Sequence, residues 1–290
     1  MLKSSLFRRI SIATLFLLVA TILYKYPDNI KTVEYQDSVG NNIFLIDDNG
    51  YVSLTKSICT YDNNDINNII KIYTNSKCIP DGFYSYLDKD IKVLDYKIDN
   101  GLLKINFNNS FYKMSYGYEE KIIEMLVYSF TSIENIDKVM FFVEGEILDR
   151  IPNINKKINT VLDRNFGVNK IVEINTINDV NQFNVYYLGK KNDSYYYIPI
   201  TYIVNENDVA RLIISKLKNN SINSSLLTHL NKNVELVDYD IKSDNMDIIF
   251  NSYLNDLLID GVLKEEVKYS LEASFADSFN VHNVEISIYE

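Results

Sequence analysis

The sequence predicts an α+β fold. It reads as two tandem repeats of a hairpin followed by αββαβ, two helices packed on a three-stranded sheet, after an N-terminal membrane anchor. Three observations predict this. First, Ile91-Lys92-Val93-Leu94-Asp95-Tyr96-Lys97-Ile98 returns as Val234-Glu235-Leu236-Val237-Asp238-Tyr239-Asp240-Ile241, 143 positions on (91 to 234). Leu103, Ile105 and Phe107 return as Met246, Ile248 and Phe250 at the same spacing. With two residues inserted, Leu126, Phe130, Ile136, Val139, Phe141 and Val143 fall on Leu271, Phe275, Val281, Val284, Ile286 and Ile288. A fixed-period repeat of apolar positions marks a duplicated folding unit. Second, helix-spaced and strand-spaced apolar patterns alternate in the same order in each copy. Third, an apolar run with basic flanks precedes both copies.

That run, Ile10 to Tyr24, follows Lys3, Arg8 and Arg9 and is closed by Lys25. It falls short of the roughly 20 residues that span a bilayer, but snorkelling of Arg9 and Lys25 can make up the difference. The basic flank puts the N-terminus in the cytoplasm and the rest outside. A cleaved signal peptide is the alternative, with Val19-Ala20-Thr21 the nearest approach to a cleavage site. The predicted organisation is residues 1–25 as anchor or signal, 26–41 as tether, 42–148 as the first domain, 149–182 as linker and 183–290 as the second domain.

Each element has its own local reason. Asn42–Ile46 and Tyr51–Ile58 flank the turn Asp47-Asp48-Asn49-Gly50, and Asn184–Leu188 with Tyr195–Val204 answer them in the second copy. Pro199 predicts that the last of these runs is an edge strand. Ile66, Ile69, Ile70 and Tyr73 are spaced for a helix, as are Val209, Leu212, Ile213 and Leu217, with Asn205 or Asn207 as N-cap. A hairpin follows over 91–98 and 102–108, turned at Asn100-Gly101. In its return strand Leu103, Ile105 and Phe107 alternate with Lys104, Asn106 and Asn108, so one face is buried and one is wet. The second copy has Ser243-Asp244-Asn245 at that turn, which predicts a longer or irregular hairpin. A second helix carries Ile122, Ile123, Leu126, Val127, Phe130 and Ile133, matched by Val267, Leu271, Phe275 and Phe279. A last strand closes each unit. Within the linker a short helix is expected near Thr160–Asn165.

Composition narrows the function. The chain has 290 residues and a net charge of -10, an acidic balance that fits neither nucleic acid nor anionic lipid. With no Trp, 23 Tyr and 4 Pro it carries the bias of an A/T-rich genome, so no single Tyr or Asn is weighed as a functional signal. Cys59 and Cys78 have no counterparts in the second copy; outside the membrane a disulfide between them is allowed, and two free buried thiols is the other reading. With no His nearby they are not a zinc pattern.

The search for chemistry finds no catalytic, cofactor or metal residues to nominate. His229 and His282 fall in a loop and at the entrance to a strand, and no Gly-x-Ser-x-Gly elbow is present. Glu119-Glu120 and Glu265-Glu266 sit in first helical turns, where acid complements the macrodipole. Gly117, Gly145 and Gly261 are isolated and form no phosphate loop. Asp62-Asn63-Asn64-Asp65 lacks the spaced ligands, the Gly and the closing Glu of a calcium loop. Tyr195-Tyr196-Tyr197 reads as an ordinary strand of β-formers, with an aromatic platform for sugar or a protein partner as the alternative.

These residues resemble the GerMN domain family. The carriers are Leu103-Lys104-Ile105-Asn106-Phe107-Asn108-Asn109-Ser110-Phe111, the helix from Gly117 to Ile133, and Val139-Met140-Phe141-Phe142-Val143-Glu144-Gly145. The resemblance covers roughly residues 42–290, and its motif positions are core positions, so no interface residue follows from it. It implies a ring-building-motif fold and a non-enzymatic role in sporulation and germination of endospore-forming Firmicutes. It also implies side-by-side self-association into a ring, with other sporulation envelope proteins as partners and no cofactor. Family members are often lipoproteins, whereas this chain has no lipid-accepting Cys and would be held by Ile10–Tyr24. The domains would then lie outside the cell membrane, in the space between mother cell and forespore. The alternative function is a membrane-anchored module that binds cell wall or a small ligand.

Overall fold

The computed structural model describes residues 42–60, 66–219 and 223–289. The expected anchor and tether and the Asp62–Asp65 cluster lie outside the described residues. Among those described, no helix is long and apolar enough to cross a membrane.

The first copy opens with strands β1 (Asn42–Asp47) and β2 (Val52–Lys56), then helix α1 (Ile66–Thr74) and the short β3 (Phe83–Tyr84). It continues through β4 (Val93–Asp99), β5 (Leu102–Phe107), helix α2 (Glu119–Phe130), β6 (Lys138–Val143) and β7 (Glu146–Ile147). A connecting strand β8 (Ile171–Glu173) leads to β9 (Asn181–Lys191) and β10 (Ser194–Val204). The second copy then runs α3 (Val209–Lys218), β11 (Leu236–Lys242), β12 (Asn245–Phe250), a small β13 (Leu258–Ile259) and β14 (Val262–Leu263) pair, α4 (Glu265–Phe279) and β15 (Asn283–Ile288). Each copy is therefore a hairpin followed by αββαβ. The β13–β14 pair falls where the repeat needs its two extra residues.

The three-stranded sheets are the same object twice. β4 pairs antiparallel with β5 and β5 parallel with β6; β11, β12 and β15 repeat this. Both first strands bulge at the same place, between Val93 and Asp95 and between Leu236 and Asp238. Ile105, Phe107, Ile248 and Phe250 are fully buried. The turns have equal length: Asp99 faces Leu102, and Lys242 faces Asn245. The longer second hairpin expected from the sequence is thus absent, because Ser243 takes the positive φ (55°) that Asn100 takes in the first copy (48°).

The leading hairpins do not each cover their own sheet. They join into one six-stranded sheet in the order β3-β1-β2-β10-β8, with β9 on the far edge of β10. Strand β10 is therefore central, contrary to the edge position that Pro199 predicts. Pro199 stands opposite Tyr186 in β9. Tyr186 turns its N–H away, to the Ser274 hydroxyl (2.9 Å), so nothing on β9 asks Pro199 for a donor. On its other edge β10 meets β2 at Tyr197 and β8 at Tyr202–Val204, and Pro199 sits in the gap between. The Asn169 side chain fills that gap. Its Oδ1 accepts from the Val52 N–H (2.9 Å), and its Nδ2 donates to the carbonyls of Val52 (2.8 Å) and Pro199 (2.7 Å). An amide side chain thus does what a strand segment would do.

Strand β9 leaves its outer edge to α4. The hydroxyls of Ser274 and Ser278 accept the N–H groups of Tyr186 and Asn184 (2.9 and 3.0 Å). An unpaired edge is an aggregation liability, and here a serine row at helical spacing closes it. Opposite Gly189, the Tyr196 ring lies where a Cβ would stand (2.2 Å to the ring). Tyr196 donates to Asp47 (3.0 Å) and so ties β10 to the β1 turn of the other copy. Helix α3 is capped by Asp208, which accepts from the Arg211 N–H, rather than by Asn205 or Asn207. Those two asparagines bond the 175–181 loop instead.

Residues 149–182, expected as a linker, are built into the core. Ile151, Ile158, Leu162 and Val168 are buried. Leu162 exchanges backbone hydrogen bonds with Val139 (2.9 and 2.7 Å), and Leu148 donates to Phe141 (2.9 Å). This segment covers the outer edge of β6, which explains why Val139, Phe141 and Val143 are fully buried while Val284, Ile286 and Ile288 of β15 are only half-buried. The helical turn falls at Arg164–Phe166, at the end of the stretch expected to be helical. Asn169→Ala strips three strand-edge groups of their partner and should cost about 2–4 kcal/mol. Urea unfolding measures this, and a loss below about 1 kcal/mol would contradict the bridging role.

Candidate functional site

The two copies meet at a cleft of about 690 Å³ lined by residues of both, among them Asn42, Ser129, Arg164, Asp277, His282 and Asn283. A second cavity of about 800 Å³ shares Arg164, Asp277 and His282 with it. Arg164 comes from the connecting segment and is aimed here by the turn that Asp163 caps. Its guanidinium pairs with Asp277 of α4. It also donates to the Tyr186 hydroxyl (3.3 Å), Thr131 Oγ1 (3.2 Å) and Ser132 Oγ (2.8 Å), and lies 5.0 Å from the Tyr128 ring centre. A planar fork with five donors suits this better than a lysine could. Burial and the Asp277 charge push the Tyr186 phenol well above its ordinary range.

A second polar knot lies along α2. Glu124 is buried and accepts from Lys170 (2.8 Å), Lys121 (3.1 Å) and the Asn169 N–H (3.0 Å). Burial works to raise the Glu120 carboxyl, but Lys156 and Lys170 beside it hold it below its ordinary value. Glu119 is buried too, taking the Gly117 N–H (2.8 Å) and the Asn153 amide (3.1 Å). The helix-start role expected for Glu119 and Glu120 is therefore extended: both acids also fasten the connecting segment. Glu265 and Glu266 stay at the start of α4.

The other nominated residues are scattered. Cys59 and Cys78 are bonded to each other across a 4.8 Å Cα separation. His229 packs edge-on to Tyr195 (5.2 Å). His282 sits at the cleft mouth with its Nδ1 2.6 Å from Asp244. The tyrosine run splits by face: Tyr196 points into the sheet contact with Phe83, whereas Tyr197 lies tilted against Tyr269 of α4 (ring centres 4.0 Å apart). It does not form one platform. Gly117, Gly145 and Gly261 occupy separate positive-φ turns. Among the described residues no three His, Cys, Asp or Glu side chains gather as metal ligands. Sequence reasoning missed Arg164, Asn169 and Asp277. Nothing local marks them, although the spacing of Ser270, Ser274 and Ser278 by four was a readable sign that α4 has a second, polar buried row.

The arrangement joins two units through satisfied polar groups rather than converging reactive ones. Residues 42–149 match the Germane family, described as sporulation and spore germination. Over 235 residues the chain is 30% identical to the spore germination protein GerM of Bacillus subtilis (strain 168), covering 77% of this chain and 64% of that protein. The chain thus spans just under two thirds of that relative's length. The solved tandem GerMN domains of the sporulation protein GerM from Bacillus subtilis superpose with a TM-score of 0.75 at 26% identity, over 86% of this chain and 90% of that one. The fold and these likenesses define the class, a protein built on two GerMN domains in tandem. The chain is GerM-like.

Two measurements probe the cleft. Arg164→Met leaves Asp277 without its charge partner and should destabilise the chain by about 2–4 kcal/mol, the cost of orphaning a buried charge reduced for partial exposure. Chemical denaturation reads this, and an unchanged midpoint would mean the pair is incidental. The Asp244 hydrogen bond, helped by the Asp137 charge, raises the His282 pKa above its ordinary 6.5. A raised folded pKa contributes stability that is complete below the unfolded value and is lost as pH rises through the folded one. An NMR titration should give His282 a midpoint above 6.5 in this chain, returning towards the ordinary value in Asp244→Asn. Identical midpoints would remove the interaction.

Proposed function

We propose that this chain is a non-enzymatic assembly protein of endospore formation, working outside the cell membrane to which its N-terminal segment holds it. Its place in this reading is the ring or channel complex between mother cell and forespore. The tandem GerMN architecture, shared with a protein named for sporulation and germination, is the observation that supports it. The physical design is compatible: polar groups at the junction are consumed in holding two units together, while each three-stranded sheet keeps a solvent-exposed face on which a neighbour can dock. The partners in this reading are further copies of the chain and other sporulation envelope proteins. The acidic balance of the chain supports no nucleic-acid role.

The test is deletion of the gene in the native host, with counts of heat-resistant spores and microscopy of engulfed forespores. Spore numbers should collapse after engulfment. Normal sporulation would overturn the reading and favour the wall-binding or small-ligand module.

A further inference from the structure

The outer faces of the two three-stranded sheets carry charge of opposite balance: on the first Lys97, Lys104 and Lys138 outnumber Asp95 and Asp99, and on the second Asp238, Asp240, Asp247 and Glu285 outnumber Lys242. In the first copy Lys97 on β4 stands directly opposite Lys104 on β5. In the second copy the same two places, 143 residues on (97 to 240, 104 to 247), hold Asp240 on β11 opposite Asp247 on β12. The next strand continues each row with Met140 beside Lys104 and Glu285 beside Asp247. The residue before each first strand is reversed as well, Lys92 against Glu235, and each donates its N–H to the equivalent asparagine side chain of its own copy (Asn108 at 3.0 Å, Asn251 at 3.1 Å). Register, bulge and turn length are shared; at the turn the equivalent places Asp99 and Lys242 differ in the opposite sense and Asp95 matches Asp238, so the reversal lies at the centre of each face. Lys97, Lys104, Asp240 and Glu285 are exposed, and Asp247 is half-exposed. Like charges placed directly across a strand pair destabilise a sheet. Lys242 partly relieves the acidic row, at 2.8 Å from Asp240 and 3.6 Å from Asp247.

We propose that the basic sheet face of the first copy docks on the acidic sheet face of the second copy in another molecule of this chain. The inference rests on the self-association reading above and supplies its contact surface. The charge complementarity selects the occupant: a chain carrying both faces is complementary to itself only head to tail. Such a contact is heterologous, and it closes into a ring or extends as a filament according to its rotation. Two second-copy faces, each with four acids to one lysine, repel, which disfavours the symmetric pairing of second copy on second copy.

The test uses the full chain in detergent, followed by sedimentation velocity at low ionic strength, where charge is least screened. Two variants are made, Lys97→Asp with Lys104→Asp, and Asp240→Lys with Asp247→Lys. At 240 and 247 the second copy already carries Asp on the same backbone as 97 and 104, so the first variant folds as the parent does; unchanged thermal melting checks both. Each variant alone presents two like-charged faces and should associate about tenfold more weakly or worse. A one-to-one mixture of the two should associate again, because acidic faces then meet basic ones. Variants that assemble like the parent, or a mixture that stays dissociated, overturn this interface and leave self-association standing. A parent chain that stays single at all concentrations overturns the self-association reading and this interface with it.

Discussion

Strands β2 and β10 come from different copies, and their edges meet at one residue pair before diverging around Pro199. What holds them past that point is the Asn169 amide, which takes both backbone groups of Val52 and the carbonyl of Pro199. The cost of leaving such groups buried and unpaired is high compared with the net worth of any one hydrogen bond, so the joint needs this side chain. Much else follows from its position. Asn169 adopts a positive φ (49°), which asparagine tolerates better than most residues. Its own N–H goes to Glu124, drawing α2 to the connecting segment, and its neighbour Lys170 neutralises the same carboxylate. Two duplicated units thereby share one sheet instead of hanging on a flexible strand of chain.

Duplication explains the similarities, and the connecting segment explains the asymmetry. In the first copy, residues 148–162 seal β6 and bury its inner side chains. In the second copy β15 carries the same apolar pattern without that cover, and its side chains remain half-buried. The outer faces differ in another way, with Lys97 beside Lys104 at the centre of one and Asp240 beside Asp247 at the centre of the other. A protein made of two copies can thus present two unlike surfaces on one backbone plan. This is a physical means of giving a chain direction in an assembly.

Most of the secondary structure was legible because it rests on short-range pattern. The stripe Ile66, Ile69, Ile70, Tyr73 gave α1, and the alternation Leu103, Ile105, Phe107 gave β5 with its buried face. The junction was not legible, because its members are far apart: Arg164 meets Asp277 across 113 residues and Asn169 meets Val52 across 117. Pro199 misled for a definite reason. The rule that proline sits on edges assumes that the outward neighbour is a strand needing a donor, and here that neighbour is a side-chain amide offering one. The second hairpin misled because Ser243 accepts a left-handed conformation that the Asn-Gly signature is usually needed to announce.

The sequence by itself determined the duplicated hairpin-plus-αββαβ units, their apolar faces and the acidic balance. These depend on residue spacing and composition, which folding does not alter. Only the tertiary structure decided that the hairpins fuse into one sheet, that 149–182 is a joint, and that Cys59 reaches Cys78. It also decided that Lys97 and Lys104, like Asp240 and Asp247, are placed side by side. Those outcomes depend on which distant groups are brought within hydrogen-bonding or charge-pairing range, and strand pairing fixes that only when the whole chain is folded.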